Sequence, residues 1–378
     1  VKTGAVLIVV AVLALVVVGA EREEARGTFT ALDRPFLAWL AANAGPPPVV
    51  PPLTLVLYDE EASELARANR MAMLDAALFV RAASNLGAIA AGVEGLQEDP
   101  RRMLEAGRGM PVFGAYLPES APGAGWTPLR GEPPPDWPEM PGLVGRPGAF
   151  SRGFLSPPSG ASGPREILLA GRSADRAVPS FLVLAWSASQ GLRVRDLTIA
   201  PGLIAGPKSS LVVDAHGAAC FLPGQPASTM SMNELLVAAE KHERDGSKSP
   251  LEGHLLVLVR ATPDVERVAR EGATPVTSVE WWAQSWSAVR EGLLFIPVGW
   301  WFTPVLVLSA SLLALSPIRR SNRAALVGLV FSLLLFLLAG LGAFAGGRIF
   351  FSAGPVLIAL VAGVVIGRVG HLAGWLGK

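Results

Sequence analysis

Three uncharged apolar spans fill the last ninety residues of the chain and constrain it more than any other feature. Residues 292–316, 324–346 and 349–367 contain no Asp, Glu, Lys or Arg, and each has roughly the 20 residues a helix needs to cross a bilayer. The backbone in hydrocarbon has to satisfy its own polar groups, so runs of this length are read as membrane helices. The turn between the first two spans, Pro317-Ile318-Arg319-Arg320-Ser321-Asn322-Arg323, holds three arginines, whereas the next turn carries only Arg348. The positive-inside bias puts the first turn in the cytoplasm, and Arg368, His371 and Lys378 put the C-terminus there as well.

A fourth apolar stretch, Ala5 to Ala20, follows Lys2 and precedes Glu21-Arg22-Glu23-Glu24, which places the N-terminus inside. Val18-Gly19-Ala20 ends in small residues that would also suit a signal peptidase; the expectation is a retained anchor. The expected architecture is an α/β outer domain with a mainly parallel sheet, plus four transmembrane α-helices, one N-terminal and three C-terminal. Its expected parts are an anchor over 1–24, an extracytoplasmic domain over 25–291 and a three-helix membrane region over 292–378. A net charge of +1 gives no field that would favour nucleic acid. High Ala, Gly, Pro and Arg content suggests a bacterial, GC-rich source, and hence the bacterial cytoplasmic membrane.

Within the outer domain, Thr28 to Ala42 has the spacing of an amphipathic helix, and the prolines that follow make a stiff extended spacer. Continuous apolar runs at 53–57, 88–93, 111–116 and 255–259 read as buried strands. Helical patterns near 62–86, 99–106, 179–190, 231–242 and 277–291 alternate with them, as in a parallel sheet covered on both faces. Residues 118–164 form a Pro/Gly-rich excursion. The last helical pattern leads directly into the apolar span that follows, which predicts one continuous helix from about Thr277 into the membrane.

An N-terminal anchor, an outer α/β domain and three closely spaced C-terminal spans together resemble the CHASE domain of the second type, an extracellular sensory module attached to bacterial cyclases and kinases. The matching blocks are Asp33-Arg34, Leu53 to Ser63 ending in Tyr58-Asp59-Glu60-Glu61-Ala62-Ser63, Arg70, Val178-Pro179-Ser180-Phe181, Leu251 to Val257, Thr274-Pro275 and Val279-Glu280 with Ala283. The chain departs from that pattern with Ala68-Asn69 where Trp-Pro is usual, and with Arg260 where a Gly ends the last strand. The sequence stops about ten residues after the last span, where the family has its cytoplasmic enzyme.

Candidate ligand-binding residues are Asp59, Glu60, Glu94 and Arg260, at the carboxyl ends of predicted parallel strands, where open α/β sheets bind ligands. The same acidic residues also suit a solvated first helical turn. Trp281, Trp282 and Trp286 precede the second span and fit a membrane-interface belt. Gly342 and Gly346, like Gly363 and Gly367, have the four-residue spacing that lets helices approach closely, within the chain or between subunits of a homo-oligomer. Val213-Asp214-Ala215-His216-Gly217 with the lone Cys220 lacks metal-ligand spacing and reads as a strand end and turn. No catalytic set, metal site or cofactor motif emerges, so no enzymatic activity is expected. Two functions remain: sensory signal input through a separate partner, such as another membrane protein or a cytoplasmic signalling enzyme, or a non-catalytic accessory subunit of an envelope complex.

Overall fold

The computed structural model describes residues 3–45, 49–58, 71–94, 100–116, 126–140, 150–155, 165–222, 227–246, 248–260, 278–299, 301–316 and 321–373. In chain order the helices are α1 (Thr3–Ala25), α2 (Thr30–Asn43), α3 (Met71–Asn85), α4 (Arg101–Ala106), α5 (Phe181–Ser189), α6 (Met232–Asp245), α7 (Ser278–Glu291), α8 (Phe302–Leu315), α9 (Asn322–Gly347) and α10 (Ala353–Leu372). The strands are β1 (Leu53–Tyr58), β2 (Ala90–Glu94), β3 (Val112–Tyr116), β4 (Ser151–Phe154), β5 (Arg165–Leu168), β6 (Ala170–Ser173), β7 (Arg176–Pro179), β8 (Thr198–Ala200), β9 (Leu203–Ala205), β10 (Ser210–Val212), β11 (Ala218–Phe221), β12 (Ser228–Ser231), β13 (Leu255–Arg260), β14 (Ile296–Pro297) and β15 (Ile349–Phe350). Two compact units result: a helical one, mainly residues 1–46 and 295–378, and an α/β one, mainly 47–159 and 166–294. The helix α2 therefore groups with the apolar helices and not with the α/β domain in which the sequence placed it.

The α/β unit is built on a six-stranded sheet in the order β12-β1-β13-β2-β3-β4, and every pairing is parallel. The four expected strands are all present. Each crossover from β1 to β2, β2 to β3 and β12 to β13 steps in the same direction across the sheet. Parallel crossovers are almost always right-handed, so α3, α4 and α6 share one face. There Phe79, Val80, Ala83, Met103 and Leu235 bury Val56, Val93, Leu256 and Leu258. On the opposite face α5 and α7 bring an aromatic row against the strands: Phe113 to Phe181 at 5.0 Å, Phe181 to Trp282 at 4.9 Å and Trp282 to Trp286 at 6.1 Å between ring centroids. Gly92 makes room for it, since a Cβ there would lie 2.8 Å from Phe181 and 2.9 Å from Phe113.

The helix α7 does not continue into the apolar region. Gly292 takes φ 70°, its N–H donates to Val289 O at 3.1 Å, and the Leu293 N–H donates to Ala288 O at 2.7 Å. This pair of bonds is a Schellman motif, which a left-handed glycine terminates. Beyond it the chain runs extended. Ile296 N–H donates to Arg348 O and Val298 N–H to Phe350 O, both at 2.9 Å, so β14 pairs with β15 in parallel.

In the helical unit, Gly4–Ala25, Arg323–Gly347 and Ala353–Leu372 are long and apolar enough to cross a membrane, whereas Phe302–Leu315 is apolar but shorter. The expected span 292–316 is thus divided between an extended segment and the 14 residues of α8. Val9, Leu13 and Val17 form the buried stripe of α1, packed with Leu306, Ala310 and Ala314 of α8 and Val356, Ala359 and Leu360 of α10. Gly363 and Gly367 let α10 meet α8 backbone to backbone. A Cβ at Gly363 would strike the Ala310 carbonyl oxygen, and one at Gly367 would lie 2.7 Å from that of Ala314. Gly342 and Gly346 differ, because a Cβ at either meets nothing within 4 Å; neither packs against the rest of this chain among the described residues.

Gly363→Leu is therefore expected to force α8 and α10 apart and to lower stability in detergent by about 1–3 kcal/mol, read from thermal unfolding. Gly346→Leu should leave the unfolding transition of the isolated protein unchanged. Gly292→Ala should destabilise the α/β unit by about 1 kcal/mol, the cost of a Cβ in the left-handed region.

Candidate functional site

The parallel register carries the carboxyl ends of β1, β13, β2 and β3 to one edge of the sheet. Tyr58 stands opposite Arg260 across β1 and β13. The next strand, β2, ends in half-buried Glu94, which stands opposite Ala115 of β3. Three adjacent strands thus end in Tyr58, Arg260 and Glu94 at the edge where parallel sheets receive ligands. Tyr58 and Arg260 share a register position, whereas Glu94 falls one position away, level with Val259 and on the other face of the sheet. Asp59 and Glu60 follow Tyr58 directly in the chain but lie outside the described residues.

Trp281, Trp282 and Trp286 are not an interface belt. They are 2%, 4% and 1% exposed, inside the α/β unit. Trp281 meets Phe221 edge-on at 5.5 Å, and the Trp286 indole N–H donates to the Pro51 carbonyl at 3.1 Å. The sequence placed them correctly on one helix. That helix covers the sheet, however, so its aromatic stripe fills core volume instead of meeting lipid. Trp301, just before α8, is 52% exposed.

The segment around Cys220 is a strand end and turn. Asp214 Oδ1 accepts from His216 N–H at 2.8 Å and from Ala218 N–H at 2.9 Å, which uses its carboxylate to close a loop. Burial, with Glu166 and Asp214 nearby, pushes the Cys220 thiol up to about 12, so it stays protonated and unreactive at neutral pH. Among the described residues no group of His, Cys, Asp and Glu could hold a metal ion.

A second polar centre lies within the helical unit. Asp33 of α2 is 2% exposed. Its Oδ2 accepts from the Ser352 hydroxyl at 2.7 Å and its Oδ1 from the Ala353 N–H at 2.9 Å. The carboxylate of one helix therefore caps the N-terminus of another, where orphan N–H groups and the helix dipole favour negative charge. Separately, the Thr303 hydroxyl at the start of α8 donates to Glu21 Oε1 of α1 at 2.6 Å. The sequence held a signal for Asp33: it sits in register with Leu37, Leu40 and Ala41, on the buried stripe of α2. An acid on an apolar stripe needs a partner.

No family model matches the chain, nor does any curated protein or any solved structure.

Burial raises the Asp33 carboxyl above its ordinary 3.8, and the bonds from Ser352, Ala353 and Gly354 offset this in part. A carboxyl with a raised pKa in the folded state adds stability that is full below its unfolded value and is lost as pH rises through the folded one. The stability of the parent relative to Asp33→Asn should therefore rise as pH is lowered toward 3.8, measured by chemical unfolding in detergent. Asp33→Ala should cost about 1–3 kcal/mol throughout, because the Ser352 hydroxyl and the Ala353 N–H lose their acceptor in a buried place.

Proposed function

We propose that the chain is a membrane-anchored signal-input protein whose α/β unit binds a ligand at the carboxyl edge of its parallel sheet and acts on a separate partner. The observation that carries this reading is the carboxyl edge itself, where Tyr58 and Arg260 pair directly across β1 and β13 and the next strand, β2, ends in Glu94. Buried on both faces by helices, such a sheet offers ligands its carboxyl edge. The likeness in motif order to CHASE domains of the second type supports the same function. So does the attachment of the unit to helices apolar enough to span a membrane. In this reading α8 completes a four-span topology with both termini cytoplasmic and residues 21–291 outside the bacterial cytoplasmic membrane.

A second reading, a non-catalytic accessory subunit of an envelope complex, is favoured by α9. Leu326, Val327, Val330, Phe331, Leu334 and Leu338 are exposed along it, and Gly342 and Gly346 leave open space at its end. A partner helix would fit there as well as lipid does.

Purification of the full chain in mild detergent, with identification of co-migrating proteins, separates the two. Signal input predicts a kinase, cyclase or other signalling enzyme; a stoichiometric set of envelope proteins with no such enzyme would overturn it in favour of the second. For the topology, reporter fusions at Gly107 and at Ser321 should give opposite sidedness, and the same side for both would refute it.

A further inference from the structure

The helical unit holds a half-open cavity of about 270 Å³ whose lining joins aromatic rings to carboxylates. Phe295, Phe302, Phe350 and Phe351 supply aromatic walls, with Phe295 and Phe350 at 4.9 Å and Phe302 and Phe351 at 4.8 Å between ring centroids. Glu21 and Glu24, three residues apart on α1, supply carboxylates to the same space. Glu23, between them, is engaged by Arg26 at 2.6 Å, but among the described residues no Lys, Arg or His pairs with Glu21 or Glu24. Glu21 accepts from the Thr303 hydroxyl. Asp33 adds a third acid beneath the cavity through Ser352, which also lines it. The site is thus acidic and aromatic, and among the described residues no Lys, Arg or His lines it.

We propose that this cavity binds a small organic ammonium ion, its charged head between Glu21 and Glu24 and its alkyl part against the phenylalanine rings. Aromatic faces attract cations through their quadrupole, and ammonium N–H groups donate to carboxylates. A bare divalent metal fits less well, since hard cations require six to eight oxygen ligands and most of this lining is carbon. The volume leaves room for several carbons beside the head. The same ammonium chemistry is present in a phosphatidylethanolamine headgroup. That headgroup also carries a phosphate, which three nearby carboxylates repel, so a free amine is the assigned ligand. This proposal is independent of the ligand edge in the α/β unit, and either can fail alone.

The test is calorimetric titration of the full chain in dodecylmaltoside micelles with n-butylammonium chloride, and with butan-1-ol as the uncharged counterpart. One saturable site per chain is expected for the ammonium and none for the alcohol. Glu24→Gln should weaken binding by roughly tenfold or more, the effect of losing one charged partner. Glu23→Gln, on the same helix but outside the cavity, should bind as the parent does. Unfolding curves verify that each variant folds. No saturable binding to the parent, or parental binding by folded Glu24→Gln and Glu21→Gln alike, would overturn the proposal. Added phosphatidylethanolamine, with diacylglycerol as the control, separates the two sources. Failure to displace butylammonium is expected, and displacement would overturn the free-amine assignment in favour of the lipid headgroup.

Discussion

Parallel strands cannot be joined by tight turns, and each crossover has to travel the length of the sheet on one of its faces. All five pairings in the central sheet are parallel, and the layout of the α/β unit follows from this. Both faces must be covered, which explains why the strands are continuous apolar runs and why five helices are committed to packing. Because the crossovers share a hand, three of those helices fall on one face, leaving α5 and α7 to close the other with large aromatic side chains. The same geometry places the strand ends together at one edge, and so Tyr58 and Arg260 become neighbours although they lie far apart in the chain, with the end of β2 at Glu94 on the strand beside them.

The helical unit answers a different constraint. Apolar side chains gain nothing from leaving lipid for one another, so close helix contact rests on small residues and on polar groups that satisfy each other. Gly363 and Gly367 allow α10 to lie on the α8 backbone, and Asp33 fixes where α10 begins by accepting from Ser352 and Ala353. The carboxylate has few alternatives there, since burial penalises its charge unless donors surround it. Among the described residues Glu21 accepts from the Thr303 hydroxyl and does not receive the pair of donors that holds Asp33.

The two glycine pairs show how far spacing can be read. All four glycines share one pattern in the sequence, yet Gly363 and Gly367 meet a neighbouring backbone while Gly342 and Gly346 face open space. The pattern states that close approach is permitted, and only the fold supplies the helix that approaches. The tryptophans of α7 carry a similar lesson. Aromatic residues just before an apolar span suit a membrane interface, but they suit the underside of a sheet equally, and the left-handed turn at Gly292 detaches their helix from the span that follows.

What the sequence determined by itself was carried by short-range periodicity: the four principal buried strands, helices between them and three apolar helices of membrane-spanning length, though not the break at Gly292 that divides the expected span 292–316. Those features depend on the order of apolar and polar residues along the chain, and that order is written locally. The tertiary structure alone decided the strand order that inserts β13 between β1 and β2, the capping of α10 by an acid some 320 positions away, and the assembly of an aromatic and acidic cavity from three separated stretches. Each depends on which surfaces meet after the chain has doubled back. Periodicity fixes which face of an element is apolar but carries no information about which other face will cover it.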